Sequence, residues 1–134
     1  MQRLEASINA MDLDGVMSAY IADDSLFLFD LTPPRQYVGV SAVPRNWRNN
    51  SFGEAKGPIN YSIMDVAIAT DGEFAYSHSI QRLLGMDVRG HSVDVTMRFS
   101  DNYRKVGGGW YIVMEHVSVP IDFGALRLDL SSRP

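Results

Sequence analysis

The chain has 134 residues, of which 46% are hydrophobic and 21% are charged, and its formal net charge is −4. This balance is typical of one soluble globular domain, and it excludes the basic surface that nucleic-acid binding requires. No apolar run approaches the roughly 20 residues of a membrane helix. The chain has no cysteine for disulfides or thiolate chemistry. We therefore expect a cytoplasmic protein that has neither a nucleic-acid partner nor a membrane partner.

Two amphipathic helices are predicted at the start of the chain. Leu4, Ile8 and Met11 recur at the spacing i, i+4, i+7, which places them on one helix face. Asp12 is a candidate N-cap for a second helix, whose apolar stripe extends over residues 13–20.

The segment SLFLFDL, residues 25–31, predicts a short apolar strand that ends before Pro33-Pro34, because proline cannot continue a strand ladder. Beyond it, Ser41 is a candidate cap for a third helix through about Asn50. Pro44 would lie in the first turn of that helix, where its missing N–H costs little.

Four long strands are predicted in the second half of the chain. They are PINYSIMDVAIAT, EFAYSHSIQRLLGM, HSVDVTMRFSDNYRKV and GWYIVMEHVSVPI. Short separators rich in glycine and aspartate lie between them, at residues 71–72, 87–90 and 107–109. Such separators favour hairpins, so we expect an antiparallel sheet.

Helices followed by a meander of strands indicate the α+β class. Strands of this length twist and curl, and a curled sheet needs the N-terminal helices to fill its concave side. We therefore predict a cone-shaped α+β barrel, in which helices pack inside a strongly curved antiparallel sheet. A single domain over residues 1–134 is expected, with residues 122–134 as a C-terminal tail.

The register of the last hairpin determines which ionisable side chains face inward. If residues 106–109 form a four-residue loop, Lys105 pairs with Trp110, and Asp101 and His116 share a largely apolar face. Glu115 then shares the opposite face with Arg98, where an ion pair could form. A slip of one residue would exchange the two faces of one strand.

Two segments together carry a resemblance to a known family: NAMDLDGVMSAYIADDSLFLFD near the start and YRKVGGGWYIVMEH near the end. With this spacing, nearly the whole chain resembles the ketosteroid isomerase-like group and the SnoaL-like polyketide cyclases of the nuclear-transport-factor-2-like superfamily. The resemblance implies a base at Asp30 and a buried protonated acid at Asp101. The place of the family's helix tyrosine falls near Leu4, which cannot donate a hydrogen bond, so steroid isomerisation itself is not implied.

A pocket inside the cone would bring proton-transferring groups among apolar walls. The candidate catalytic residues are Asp30, Asp101, His78 and His116. A histidine near its ordinary pKa suits acid–base work, and a desolvated aspartate has a raised pKa. His78 alternates with Tyr76 and Ile80 along its strand, and we expect that row to face inward. The candidate ligand-binding residues are Tyr20, Trp47, Tyr76, Ile80, Met97, Phe99, Met114 and Ser118.

Each candidate also has a purely structural interpretation. Asp30 could cap a turn, Asp101 could lie at a solvated strand end, and the histidines could be satisfied core residues. His78, His116 and a carboxylate could in principle form a metal site, but no ligand-spacing motif such as HExxH supports it. We therefore expect no metal and no cofactor.

Two functions remain open. The first is a pocket protein for a small apolar ligand, possessing acid–base isomerase, cyclase or dehydratase activity on a carbonyl compound. The alternative is a non-catalytic ligand-binding or dimeric assembly domain. An apolar patch on the outer sheet face around Val113, Val117 and Val119 would be hard to leave exposed, so we expect a homodimer in either case.

Overall fold

The computed structural model describes residues 1–43, 47, 55–130 and 132. In these ranges it contains two short helices and one large sheet, followed by a small C-terminal hairpin. The helices are α1 (Gln2–Asn9) and α2 (Leu13–Met17), and the strands are β1 (Phe27–Phe29), β2 (Tyr37–Val38), β3 (Asn60–Asp71), β4 (Phe74–Met86), β5 (Ser92–Val106), β6 (Gly109–Ser118), β7 (Ile121–Asp122) and β8 (Arg127–Leu128).

The main sheet has the strand order β2-β1-β6-β5-β4-β3. The four long strands form the predicted antiparallel meander, and the α+β fold class is confirmed. Two details differ from the prediction. β1 pairs with β6 in parallel, which makes the sheet mixed. The described sheet also has two free edges, β2 and β3, and is therefore open rather than a closed barrel.

Both N-terminal helices begin where the sequence pattern predicted. The Asp12 side chain accepts a hydrogen bond from the backbone N–H of Gly15 at 3.0 Å and caps α2. Helix α1 docks on the edge strand β3, because Asn9 accepts from the N–H of Tyr61 at 2.7 Å and donates to its carbonyl at 2.9 Å. The third helix predicted from Ser41 falls largely on residues 44–46 and 48–50, outside the described ranges, and stays a prediction.

The predicted pairing of Lys105 with Trp110 is present, but the turn is shorter than expected, since Val106 pairs with Gly109. A β-bulge then shifts the register between Tyr103 and Asn102. Beyond this bulge, which leaves Val113 unpaired, Asp101 lies opposite Glu115 instead of Met114. The predicted sharing of a face by Asp101 and His116 is therefore wrong, because a bulge moves all later residues to the other face.

The apolar core lies on the face of the sheet that the helices cover. One cluster joins the helices and β1 to β6, and includes Val16, Leu26 and Leu28. A second cluster lies on the long strands and consists of Tyr61, Met97, Phe99 and Val117. Val117 thus faces inward, so the outer apolar patch predicted around it is not built as expected.

The C-terminal segment leaves β6 and forms the β7–β8 hairpin. Its later part lies beside β5, since the backbone N–H of Thr96 donates to the carbonyl of Leu130 at 2.8 Å. Within the described ranges, neither helix has the length and apolarity needed to cross a membrane.

Candidate functional site

A cavity of about 340 Å³ lies between the helices and the inner face of the sheet. Most of its lining is aliphatic or aromatic, and Leu4, Met97 and Phe99 are part of its walls. Leu4, near which the resemblance places the family tyrosine, lines the cavity and offers no donor. The polar groups that reach this cavity are few. Two places hold buried clusters, around Glu115 and around Gln81, and the carboxyl groups of Asp30 and Asp87 also line the cavity.

The first place is built around Glu115 on β6. This carboxyl is 4% exposed and lines the cavity. The hydroxyl of Tyr20 donates to its Oε2 at 2.7 Å. The backbone next to Tyr20 is fixed to β6, because Ile112 exchanges hydrogen bonds with Ala19 and Ile21. Burial raises the pKa of Tyr20 well above its ordinary value, so this hydroxyl remains a donor.

Asp101 lies directly opposite Glu115 on β5 and is 3% exposed. Its Oδ2 accepts hydrogen bonds from the hydroxyls of Ser77 and Tyr103, each at 3.2 Å. These two hydroxyls are also 2.9 Å from each other. Asp101 is thus held from the side of β4, behind Glu115 as seen from the cavity.

Asp101 and Glu115 form a coupled pair of buried carboxyl groups. Desolvation raises the pKa of Glu115 well above its ordinary value, and the charge of Asp101 raises it further. Desolvation also raises the pKa of Asp101, while hydrogen bonds from Tyr103, Ser77 and Glu115 oppose that shift. Because two carboxylates this close cannot both ionise cheaply, the pair favours a state in which the two groups share one proton.

The neighbourhood of this pair explains where that proton lies. Asp101 accepts two hydroxyl hydrogen bonds through Oδ2, which suits a carboxylate, and its buried Oδ1 has no other hydrogen-bond partner. A neutral Glu115 has one acidic hydrogen, which it can donate either to that oxygen or to a ligand in the cavity. Among the described residues, the ion pairs are Arg82–Asp94, His91–Asp87 and Arg104–Asp23, and none of these cations reaches the carboxyl pair.

Asp30, which follows β1, is another carboxyl group in the cavity wall. It is half-buried. Its Oδ2 accepts from the indole N–H of Trp47 at 3.1 Å, and its Oδ1 accepts from the backbone N–H of Leu31 at 2.6 Å. Such an arrangement of donors suits an ionised carboxylate, which only accepts hydrogen bonds.

The second polar place is a group on β3 and β4. The hydroxyl of Tyr61 donates to Oε1 of Gln81, and Nε2 of Gln81 donates to the hydroxyl of Ser79 at 3.0 Å. All three side chains are buried, and Tyr61 and Gln81 line the cavity. We call Tyr61, Gln81 and Ser79 the amide site.

The structure brings several of the predicted residues together. Asp30, Tyr20, Trp47, Met97 and Phe99 line the cavity. Asp101 does not line it but contacts the wall from behind, through Glu115.

The other predicted residues lie on the opposite side of the sheet. His78 pairs with Ser100, and Ser100 pairs with His116, so both histidines occupy the outer face, where both are exposed. The ring of His116 lies edge-on to Phe29, 5.5 Å between centroids. The expected inward position is therefore wrong for these residues, and for the same reason for the remaining members of the outer rows, Tyr76, Ile80, Met114 and Ser118.

Two causes account for these errors. On β6 the bulge at Val113 reverses the faces, so Glu115 points inward and Arg98, its expected partner, is exposed on the other side. On β4 the inward row is the polar one, and it contains Ser77, Ser79 and Gln81. Alternation along a strand separates its residues into two faces. The rule that the apolar face is buried fails here, because the polar side chains of the inner face form hydrogen bonds with buried neighbours.

Sequence reasoning placed Glu115 outside the cavity and did not single out Gln81 or Tyr61. A carboxyl group within a run of Trp, Tyr, Ile, Val and Met was a signal, but its face could not be assigned without the bulge. The described residues contain no group of three side chains that could hold a metal ion.

Comparison with known structures identifies the class of fold. A protein of unknown function from Pseudomonas putida, described as NTF2-like, aligns with a TM-score of 0.85 and 25% identity, over 99% of this chain and 90% of that one. A proposed aromatic ring hydroxylase from Novosphingobium aromaticivorans aligns with a TM-score of 0.75 and 19% identity, over 98% and 87% of the two chains. The fold is that of the NTF2-like superfamily.

A third similar structure is a proposed dehydratase of the NTF2-like family from Streptomyces avermitilis, with a TM-score of 0.72, 14% identity and coverage of 87% and 88%. A search of functionally curated proteins returns no match. The profile of the SnoaL-like domain matches residues 1–122. The chain belongs to this SnoaL-like family, as its resemblance in sequence predicted.

Proposed function

We propose that the protein catalyses proton transfer on a small apolar carbonyl compound, as an isomerase or lyase that needs no cofactor. One observation carries the proposal: among the carboxyl groups that line the apolar cavity, Asp30 and Glu115 lie in unlike environments. Asp30 is half-buried and surrounded by donors, whereas Glu115 is buried next to a second carboxyl group. Unlike environments give two carboxyl groups opposite roles in acid–base chemistry.

The steps follow from these environments. A carbonyl compound in the cavity loses a proton from the carbon next to its carbonyl group to the carboxylate of Asp30. Negative charge then develops on the carbonyl oxygen, and neutral Glu115 stabilises it by donating a hydrogen bond or its proton. The enol so formed regains a proton at another carbon, or expels a leaving group. Tyr20 holds the carboxyl of Glu115 in place throughout.

The proposed dehydratase shares the fold of this chain. This likeness is consistent with the lyase reaction, in which the enol expels a leaving group. Asp101 has the role of a positioning residue, since it acts on the ligand only through Glu115. A homodimer, which the sequence led us to expect, remains a proposal; Phe29 and Tyr76 are exposed on the outer face, where a second copy could pack.

The test is deuterium exchange at the acidic carbons of 2-tetralone, a bicyclic ketone, followed by proton NMR in D₂O. The wild-type protein is expected to accelerate exchange over buffer. Asp30→Asn should lower the catalysed rate by about 10²–10⁴-fold, the range for loss of a general base. Glu115→Leu, which removes the donor, should lower it by about 10²-fold, whereas Glu115→Gln keeps an N–H donor and should have a smaller effect.

Matched controls make the same chemical changes away from the cavity. Asp71→Asn and Glu73→Gln alter exposed residues at the β3–β4 turn and should leave the rate unchanged. An Asp30→Asn protein that exchanges as fast as the wild type would contradict the proposal. A wild-type protein that binds 2-tetralone without accelerating exchange would favour the non-catalytic alternative.

A further inference from the structure

The amide site has hydrogen-bonding capacity that the protein itself does not use. Gln81 carries an amide nitrogen with two N–H groups, and one of them donates to Ser79. Within the described part of the chain, no second acceptor lies in reach of that nitrogen. The hydroxyl oxygen of Tyr61, having donated its proton to Gln81, keeps lone pairs free to accept.

These free groups lie at the wall of the cavity rather than in the packed core. Gln81 and Tyr61 both line it, together with the apolar side chains of Leu83 and Met97 on neighbouring strands. A buried N–H without a partner is costly, and a ligand atom that accepts from it recovers that cost. The amide site therefore favours a ligand with a polar group at this end.

The position of Tyr61 is fixed before any ligand arrives. Asn9 of α1 bonds to both backbone groups of Tyr61, and Glu5, one helical turn earlier, accepts from the N–H of Ile63 at 3.2 Å. Burial raises the pKa of Tyr61 well above its ordinary value, so its hydroxyl keeps the proton that orients Gln81. The geometry is thus pre-organised, which lowers the entropic cost of binding.

Along the strands, the backbone of Gln81 is displaced from the carboxyl pair, although the charge of Glu115 still raises the pKa of Tyr61. Glu115 lies opposite Asp101, and Asp101 lies opposite Ser77, which precedes Gln81 by four residues on β4. Four residues of a strand span roughly 13 Å. A ligand that reaches both places needs a rigid frame with polar atoms at its two ends.

We infer that the amide site recognises a hydroxyl group at the end of the ligand opposite its reacting carbonyl group. A hydroxyl oxygen accepts from the free N–H of Gln81, and its O–H donates to the oxygen of Tyr61. A ketone or ether oxygen satisfies only the first of these contacts. The inference rests on the proposed function, because it takes the ligand to occupy this cavity. It adds the class of substrate, which is a hydroxylated and otherwise apolar ring compound.

The test compares three related compounds by titration calorimetry: 2-naphthol, 2,6-dihydroxynaphthalene and 6-methoxy-2-naphthol. The wild-type protein is expected to bind the diol about 3–10-fold more tightly than 2-naphthol, the gain that a net buried hydrogen bond supplies. The methoxy oxygen of 6-methoxy-2-naphthol can accept a hydrogen bond at the amide site but cannot donate one, so this compound should bind more weakly than the diol. In Gln81→Leu and in Tyr61→Phe the advantage of the diol should fall to within about twofold.

Gln36→Leu, the same change at an exposed residue, should keep the full preference. Circular dichroism establishes whether each variant is folded. If Gln81→Leu does not fold, Tyr61→Phe provides the test alone. A diol advantage that persists in both amide-site variants overturns the inference, as does a wild-type protein that shows none. Failure of the proposed function looks different, because it appears as unchanged deuterium exchange in Asp30→Asn while the diol preference stands.

Discussion

The two faces of strands β5 and β6 carry ionisable groups in opposite physical states. On the inner face, Asp101 and Glu115 are buried opposite each other, and the pKa of each carboxyl group is raised. On the outer face, His116 is exposed one residue away from Glu115. Residue type alone would suggest histidine as the proton-transfer group. The comparison shows that desolvation and a like-charged neighbour, rather than residue type, raise the pKa of a carboxyl group on this sheet.

The largest effect that separates the two faces should come from a charge placed on each. Val117 is buried in the second core cluster, whereas Ser118 faces outward opposite Arg98. Val117→Lys should lower the free energy of unfolding by about 3 kcal/mol, because it replaces a packed apolar side chain with a charge that is largely removed from water. Ser118→Lys should change it by less than about 0.5 kcal/mol.

Urea denaturation of the two variants measures this difference. Since the bulge at Val113 determines which residue faces inward, the experiment also tests the register. Equal effects, or a larger effect for Ser118→Lys, would show that the faces are exchanged.

A second effect concerns the dependence of stability on pH. Glu115 keeps its proton to a higher pH in the folded chain than in the unfolded chain, so the folded state binds more protons in that interval. Stability is therefore full below the unfolded glutamate pKa of about 4.3 and falls as pH rises toward the folded value. The loss should approach roughly 1 kcal/mol per pH unit.

Glu115→Gln removes this group, and its stability should decline less steeply as the pH rises above the unfolded glutamate pKa of about 4.3. Glu73→Gln, at an exposed position, should follow the wild-type curve. Parallel curves for the wild type and Glu115→Gln would mean that Glu115 ionises normally in the folded protein.

The smallest effect is expected on the outer face. His78→Gln and His116→Gln, separately or together, should change the deuterium-exchange rate of 2-tetralone by less than about twofold and stability by less than about 0.5 kcal/mol. Both side chains are exposed on the side of the sheet away from the cavity. A tenfold loss of exchange in either variant would return the histidines to the site that the sequence suggested for them.

The sequence predicted the long strands and the hairpin turns well, because alternation and glycine-rich separators are local signals. It could not predict the bulge at Val113, whose cause is tertiary. Strand β6 changes neighbours there: Ile112 pairs with Tyr20, while Met114 pairs with Phe27 of β1. The bulge therefore coincides with a change of pairing partner, which no local sequence pattern indicates.

The candidate site was predictable in part for the same reason. Asp30 was predicted from the family resemblance, because it ends the short strand that follows the first helices at the spacing typical of the family. Glu115 was misplaced because its face depends on the bulge. Gln81 was missed because its burial depends on hydrogen bonds with Tyr61 and Ser79. Tyr61 lies on a different strand, and Ser79 resembles a surface residue when it is considered alone.

The central claim is that Glu115 is a neutral acid at the wall of the cavity at neutral pH. The chain has only four glutamates, at positions 5, 54, 73 and 115, so a carbon-13 NMR titration of their carboxyl groups is readily resolved. The account predicts one carboxyl resonance that still has the shift of a protonated acid at pH 7 and that disappears in Glu115→Gln. Four carboxyl groups that all titrate close to the ordinary value of about 4.3 would contradict it.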